Sequence, residues 1–169
     1  MTNFSRVIIP SLAFALAASS EAGNAATLCK ASERVAFSCI AGKKTASLCA
    51  SGDLQQSEGR LIYRFGKDAS HIELEHGVQS NPSQSGFSFD YSPWAKGAST
   101  TVGFKRGQFS YFVNHAAGVY GVDGGPNMAS VRVVQGSKTV ADIACDEARA
   151  IDHMYEELQK LGLPAAGAY

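Results

Sequence analysis

The sequence predicts a mainly β protein: an antiparallel β-barrel or sandwich of about 8–10 strands, followed by one C-terminal α-helix. Three observations carry this. Short runs alternate apolar and polar residues at period two along most of the chain. Gly-, Asn-, Ser- and Pro-rich turn signals separate those runs. Only the last stretch, Asp146 to Leu161, changes to a helical period.

The chain has 169 residues, enough for a single domain. Residues 1–25 read as a signal peptide. Met1 to Arg6 carries one positive charge, Val7 to Ala18 is apolar, and small residues follow. The apolar run is shorter than the ~20 residues a membrane-spanning helix needs. Gly23 with Ala25, or Ser20 with Ala22, supply the small side chains a signal peptidase requires, so cleavage is expected between Gly23 and Thr27. Leu28 before Cys29 is too large for a lipoprotein site. Residues 26–169 are then one exported, disulfide-linked β-domain, periplasmic or secreted, with no membrane insertion.

The four cysteines, Cys29, Cys39, Cys49 and Cys145, all fall in that domain. An even count in an exported chain reads as disulfides. Their spacing matches no compact zinc-ligand pair.

The elements follow in order. Arg34 to Ile40 puts Val35, Phe37 and Cys39 on one face, and Ala41 to Lys44 reads as a turn before the return strand Thr45 to Ser51. With that loop, Phe37 lies opposite Leu48, Ile40 opposite Thr45, Cys39 opposite Ala46 and Cys49 opposite Ala36. Cys39 and Cys49 then face opposite ways, which disfavours a bridge between them because their Cβ atoms would be too far apart. The favoured pairing is Cys39–Cys145 with Cys29–Cys49, although a loop one residue longer or shorter reverses this parity. Arg60 to Phe65 and His71 to His76 form the next hairpin. Phe87, Phe89 and Tyr91 mark a half-buried strand that Ser92 to Gly97 breaks. Thr100 to Lys105 and Gln108 to Asn114 pair across an Arg106-Gly107 turn. Ala116 to Asn127, with four glycines and a proline, reads as a surface loop or as a strand broken by glycines, and Ala129 to Gln135 pairs with Lys138 to Cys145. In the final segment Ala150, Met154, Leu158 and Leu161 share a stripe, Asp146 and Glu147 favour a helix start, and Gly162 with Pro164 ends a helix over 146–161.

Charge bounds the partners. Lys plus Arg and Asp plus Glu are equal at 15 each, and no run of basic residues exceeds two. This argues against nucleic acid and against an anionic membrane surface.

Candidate chemistry is sparse. The chain lacks Gly-x-Ser-x-Gly, His-Glu-x-x-His and a phosphate-binding Gly-Lys-Ser/Thr loop. No catalytic residues, metal ligands or cofactors are assigned. His71, Glu73 and Glu75 share a strand face, but alternate positions are about 7 Å apart, too far for all three to hold one ion, so they read as a solvated face. His76 reads as a satisfied or rim histidine and His153 as surface. Glu156 and Glu157 diverge around a helix and do not form a carboxylate pair. The densest aromatic region holds Tyr91, Trp94, Phe104, Phe109, Tyr111 and Phe112. Most of its Phe residues read as core. Trp94, set in a loop by Pro93 and Gly97, and Tyr111 are candidate ligand-binding anchors, and Arg106 with Gly107 projects from a hairpin turn as a further candidate.

Cys29, Glu33 to Cys39 (ERVAFSC), Gly42 to Cys49 (GKKTASLC), Leu61 to Gly66 (LIYRFG) and Ile72 to Glu75 (IELE) together resemble an uncharacterised family of small exported proteobacterial β-proteins. More loosely, the build is similar to periplasmic lysozyme inhibitors, disulfide-tied β proteins that present a loop to the lysozyme cleft through a Ser-Gly-x-x-Tyr-like motif. The nearest stretch here is Gly107 to Tyr111 (GQFSY), which lacks the Ser-Gly start. The expected function is that of a non-enzymatic β-domain binding a protein, such as a lysozyme, or a cell-envelope component through loops. A cell-envelope hydrolase or a structural envelope protein are the alternatives.

Overall fold

The hairpin β1 (Glu33–Ala41) and β2 (Lys44–Ser51) sets the frame of the molecule. We describe it in a computed structural model, whose described residues are 27–55, 58–78, 81, 85–118 and 128–166. The expected signal peptide lies outside them. Phe37 faces Leu48, Cys39 faces Ala46 and Ile40 faces Thr45. The loop is shorter than the four residues expected, because Ala41 and Lys44 still pair and only Gly42 and Lys43 turn. Gly42 has φ 66°, which it adopts without a Cβ clash, and Gly first with an ordinary residue second is the order of a type II′ hairpin. A bulge at Ala36 sets Cys49 opposite Val35 instead of Ala36.

β3 (Leu61–Gly66) and β4 (Ile72–His76) extend this hairpin, and the first sheet has the order β10-β1-β2-β3-β4. The second sheet is a meander of β5 (Ser88–Trp94), β6 (Gly97–Arg106), β7 (Phe109–Gly118), β8 (Met128–Gln135) and β9 (Lys138–Ala144), each antiparallel to the next. The two five-stranded sheets do not close into a barrel, and they form a sandwich.

The continuous helix expected over 146–161 does not form. Asp146 caps a single 3₁₀ turn, Glu147–Arg149, by accepting the Ala148 N–H. Ala150 is extended, and Ile151–Asp152 becomes β10, paired with Ser38 and Phe37 of β1. Helix α1 spans only Met154–Leu158, and a 3₁₀ turn, Gln159–Leu161, continues it to Gly162. The apolar stripe nonetheless does its packing work: Met154, Leu158 and Leu161 are buried against both sheets. The edge of the first sheet offered backbone partners that a surface helix would have left unused.

Phe37, Leu48 and Tyr63 from the first sheet meet Val102, Phe104, Val113 and Val131 from the second in one core. Phe104 stacks on Tyr111 and on His76, with ring centroids 4.9 and 4.4 Å apart. The cysteines pair as Cys29–Cys49 and Cys39–Cys145. The second bridge joins the two sheets' chain segments across 106 residues of sequence. Two disulfides fit an oxidising, non-cytoplasmic compartment, and no helix among the described residues is long and apolar enough to cross a membrane.

The outer face of the first sheet is also covered. Residues 27–32 cross it as a strap, pinned by Cys29–Cys49 and by Leu28 N–H donating to Ser47 Oγ at 3.0 Å. Beneath the strap Ser38 and Ser47 are fully buried and hydrogen-bonded to each other. Arg64, only 3% exposed, donates to both Glu33 oxygens, to Glu75 and to the Leu28 carbonyl.

Candidate binding face

Of the four sheet faces, the two inner ones bury each other and the strap covers a third. Among the described residues nothing covers the outer face of the second sheet. Its composition follows from the register. Val102, Val113 and Val131 are paired neighbours that point to the core, so the residues on either side of them point outward. These form rows across the sheet: Asp90–Thr101–Asn114–Ser130–Ala144, then Ser92–Ser99–Ala116–Met128, then Trp94–Gly97–Gly118. A cleft of about 620 Å³ lies over Ser99, Thr101, Asn114, Ser130 and Ala144 and reaches His115 and Glu147.

The polar groups of this face are held in place by one another. Thr101 Oγ1 donates to Asn114 Oδ1 at 3.0 Å. Ser92 Oγ donates to Asp90 Oδ2 at 3.0 Å. Arg132 pairs with Asp142 across β8 and β9 at 3.0 Å. Trp94 lies against Gly97, where a Cβ would stand 2.8 Å from the indole ring.

At one end of the cleft, His115 of β7 meets two acids from the C-terminal segment. Its Nδ1 lies 2.6 Å from Asp152 Oδ2, and its Nε2 lies 4.0 Å from Glu147 Oε2. Asp152 uses its other oxygen to accept the Met154 N–H, so the same carboxylate positions the imidazole and the start of α1. Glu147 Oε1 accepts the Ala129 N–H. The Asp152 hydrogen bond raises the His115 pKa above the ordinary imidazole value against the opposing effect of burial, and the Asp152 and Glu147 charges add to the rise. Burial, reinforced by Asp146 and opposed by His115, pushes the Glu147 carboxyl up. The pair His115–Asp152 also joins the sheets, because β7 belongs to the second and β10 to the first.

No family model, curated protein or solved structure matches the chain. Its chemistry is therefore read from its own residues.

The four candidate residues from the sequence do not form one site. Trp94 ends a strand that runs straight through Pro93, and it stands on the outer face beside the cleft. Arg106 and Gly107 lie at the far end of β6, about 30 Å away along the strand. Arg106 donates to the Glu75 carbonyl at 3.1 Å, and Gly107 turns the hairpin at φ 59°. Tyr111 faces inward and stacks on Phe104. His71, Glu73 and Glu75 go to separate partners, Asp68, Lys44 and Arg64. Among the described residues one group of three metal-ligating side chains converges, Cys29, Glu33 and Cys49, and its two sulfurs are bonded to each other.

Sequence reasoning missed His115. The alternating run reads as ending at Asn114, whereas β7 continues to Gly118. Of the partners of His115, Glu147 reads in the sequence only as a helix-start charge, and Asp152 carries no local signal. A second cleft, of about 580 Å³, lies among Arg34, Asp53, Glu157 and Lys160. Arg34 spans it with a bidentate pair to Glu157, both bonds 2.8 Å.

Proposed function

We propose that the protein is exported to the periplasm or beyond and binds a cell-envelope or protein ligand on the outer face of its second sheet. The observation that supports this best is the coverage of the sheets. Three faces are occupied by core or strap, and the fourth carries a cleft with pre-positioned hydroxyl and amide groups and the Trp94 indole beside it. Such pre-set polar groups around a concave surface are what ligand sites are made of. Lysozyme is the protein ligand to try first, on the strength of the resemblance in build.

The test uses oxidised protein recovered from the periplasm of an expression host. It is co-sedimented with purified cell-wall sacculi and assayed as an inhibitor of a panel of lysozymes. Ala144→Arg, an exposed position in the cleft, fills the site without touching the core. Binding or inhibition by the wild type that is lost in the variant supports the reading. Failure of both assays, or a variant that behaves as the wild type, overturns it.

The 2.6 Å His115–Asp152 contact favours a second reading, an envelope hydrolase. A carboxylate fixed on Nδ1 is how a general base is oriented, and Nε2 stands 4.0 Å from Glu147 Oε2, beyond hydrogen-bond distance, where a water or hydroxyl nucleophile would be activated. Release of soluble fragments from sacculi by the wild type, abolished in His115→Gln, would establish that reading over the first.

A further inference from the structure

We infer that the ligand of this face is a neutral oligosaccharide, which rests on the face being the binding surface and specifies its chemistry. Four properties point there. The first is charge. Arg132 is cancelled by Asp142 and His115 by Asp152. The carboxylate left on the face, Asp90, and Glu147 at the end of the cleft accept hydrogen bonds and repel phosphate, sulfate or carboxylate groups. An uncharged ligand rich in hydroxyls complements that balance.

The second is the inventory of groups. Ser92, Ser99, Thr101, Asn114 and Ser130 form adjoining rows, and hydroxyl and amide side chains both donate and accept. A sugar hydroxyl also does both, so each contact can be met in either sense. The third is Trp94. Its indole lies at the edge of the same rows, over Gly97. The C–H face of a pyranose is apolar and packs on an aromatic plane, while its hydroxyls reach the neighbouring polar rows. From the Trp94 row to the Arg132–Asp142 pair the face runs about 20 Å, which suits a short chain of sugars and is long for a single one.

The fourth is what the face withholds. An extended peptide binds best by adding a strand, because its backbone N–H and C=O groups then find partners. On β6, β7 and β8 those groups are already paired on both sides, so a peptide laid on the face would leave its own backbone unsatisfied.

Trp94 is the chain's single tryptophan, so its fluorescence reports directly on the site. The oxidised protein is titrated with chitotetraose, cellotetraose and maltotetraose, and separately with a basic peptide of similar length. At least one neutral tetrasaccharide is expected to shift the Trp94 emission saturably. Asn114→Ala is expected to weaken that binding about tenfold, and Ala144→Arg to abolish it. Thermal unfolding of each variant confirms that it folds, and calorimetric titration of Trp94→Phe checks that the indole contributes to affinity. No response to any tetrasaccharide at millimolar concentration overturns the proposal, as does saturable binding of the peptide alone. If sacculi or a lysozyme are bound and released by Ala144→Arg while every tetrasaccharide fails, the face is the site and its ligand is not a neutral oligosaccharide.

Discussion

His115 is the residue whose environment makes the sharpest prediction. Folding holds its pKa above the ordinary value through Asp152. An imidazole raised in this way binds more protons in the folded state, so it adds stability that is full below about pH 6.5 and is lost as pH rises through the folded value. His115→Gln should therefore cost about 1.5 kcal/mol at pH 5.5, and the gap to wild type should shrink as pH passes above neutral. Denaturant midpoints of both proteins across that range check this. His76 works in the opposite direction, because burial lowers its pKa, and comparison with the variant cancels its contribution. Arg64 is a different case. Burial acts to raise the Glu33 carboxyl, but the Arg64 pair and the Lys30 N–H outweigh it and hold it below the usual range. Arg64→Ala strands Glu33, whose side chain is 9% exposed, and should cost about 3 kcal/mol or more in a chemical melt. Neither role was legible in the sequence. The partners of His115 lie 32 and 37 positions onward, and those of Arg64 come from β4 and from the start of β1.

At the scale of elements, each sheet edge is blunted. On β4, Phe65 faces Leu74 and Gly66 faces Ile72, so Glu73 is bulged, and Arg106 occupies the Glu75 carbonyl. On β9, Val133 faces Ala141 and Val134 faces Thr139, which leaves Val140 in a bulge. β5 contains Pro93, and its Phe89 N–H donates to the Pro164 carbonyl. β10 is two residues long. Bulges, proline and short strands are how edges avoid pairing with other chains. The protein is expected to stay monomeric across a hundredfold range of concentration in sedimentation velocity, and a mass that doubles with concentration would show that one edge remains open. The strands themselves were legible, because one buried face imposes period two on each run. The end of the chain was not. Its stripe at helical spacing is real, and Met154, Leu158 and Leu161 use it, but Ile151 and Asp152 gain backbone partners on β1 that local periodicity does not reveal.

At the scale of the molecule, the disulfides and the C-terminal segment hold the two sheets as one body. Cys39–Cys145 closes 106 residues and Cys29–Cys49 closes 20. In the chain-entropy model these are worth about 4.7 and 3 kcal/mol. Replacing Cys39 and Cys145 with alanine should lower the melting temperature more than replacing Cys29 and Cys49. The second pair should instead loosen the strap, seen as faster amide exchange at Leu28 and Ser47. That the described residues leave one sheet face uncovered is a property of how the two sheets pack, and the sequence carried only its scattered polar residues and Trp94. The most direct test of the binding face is an amide and indole chemical-shift map of the oxidised protein titrated with solubilised cell-wall fragments. Shifts gathered at Ser99, Thr101, Asn114, Ser130 and the Trp94 indole are the predicted result. Shifts confined to the strap face or to the Arg106-Gly107 turn, or no shifts at all, would contradict it.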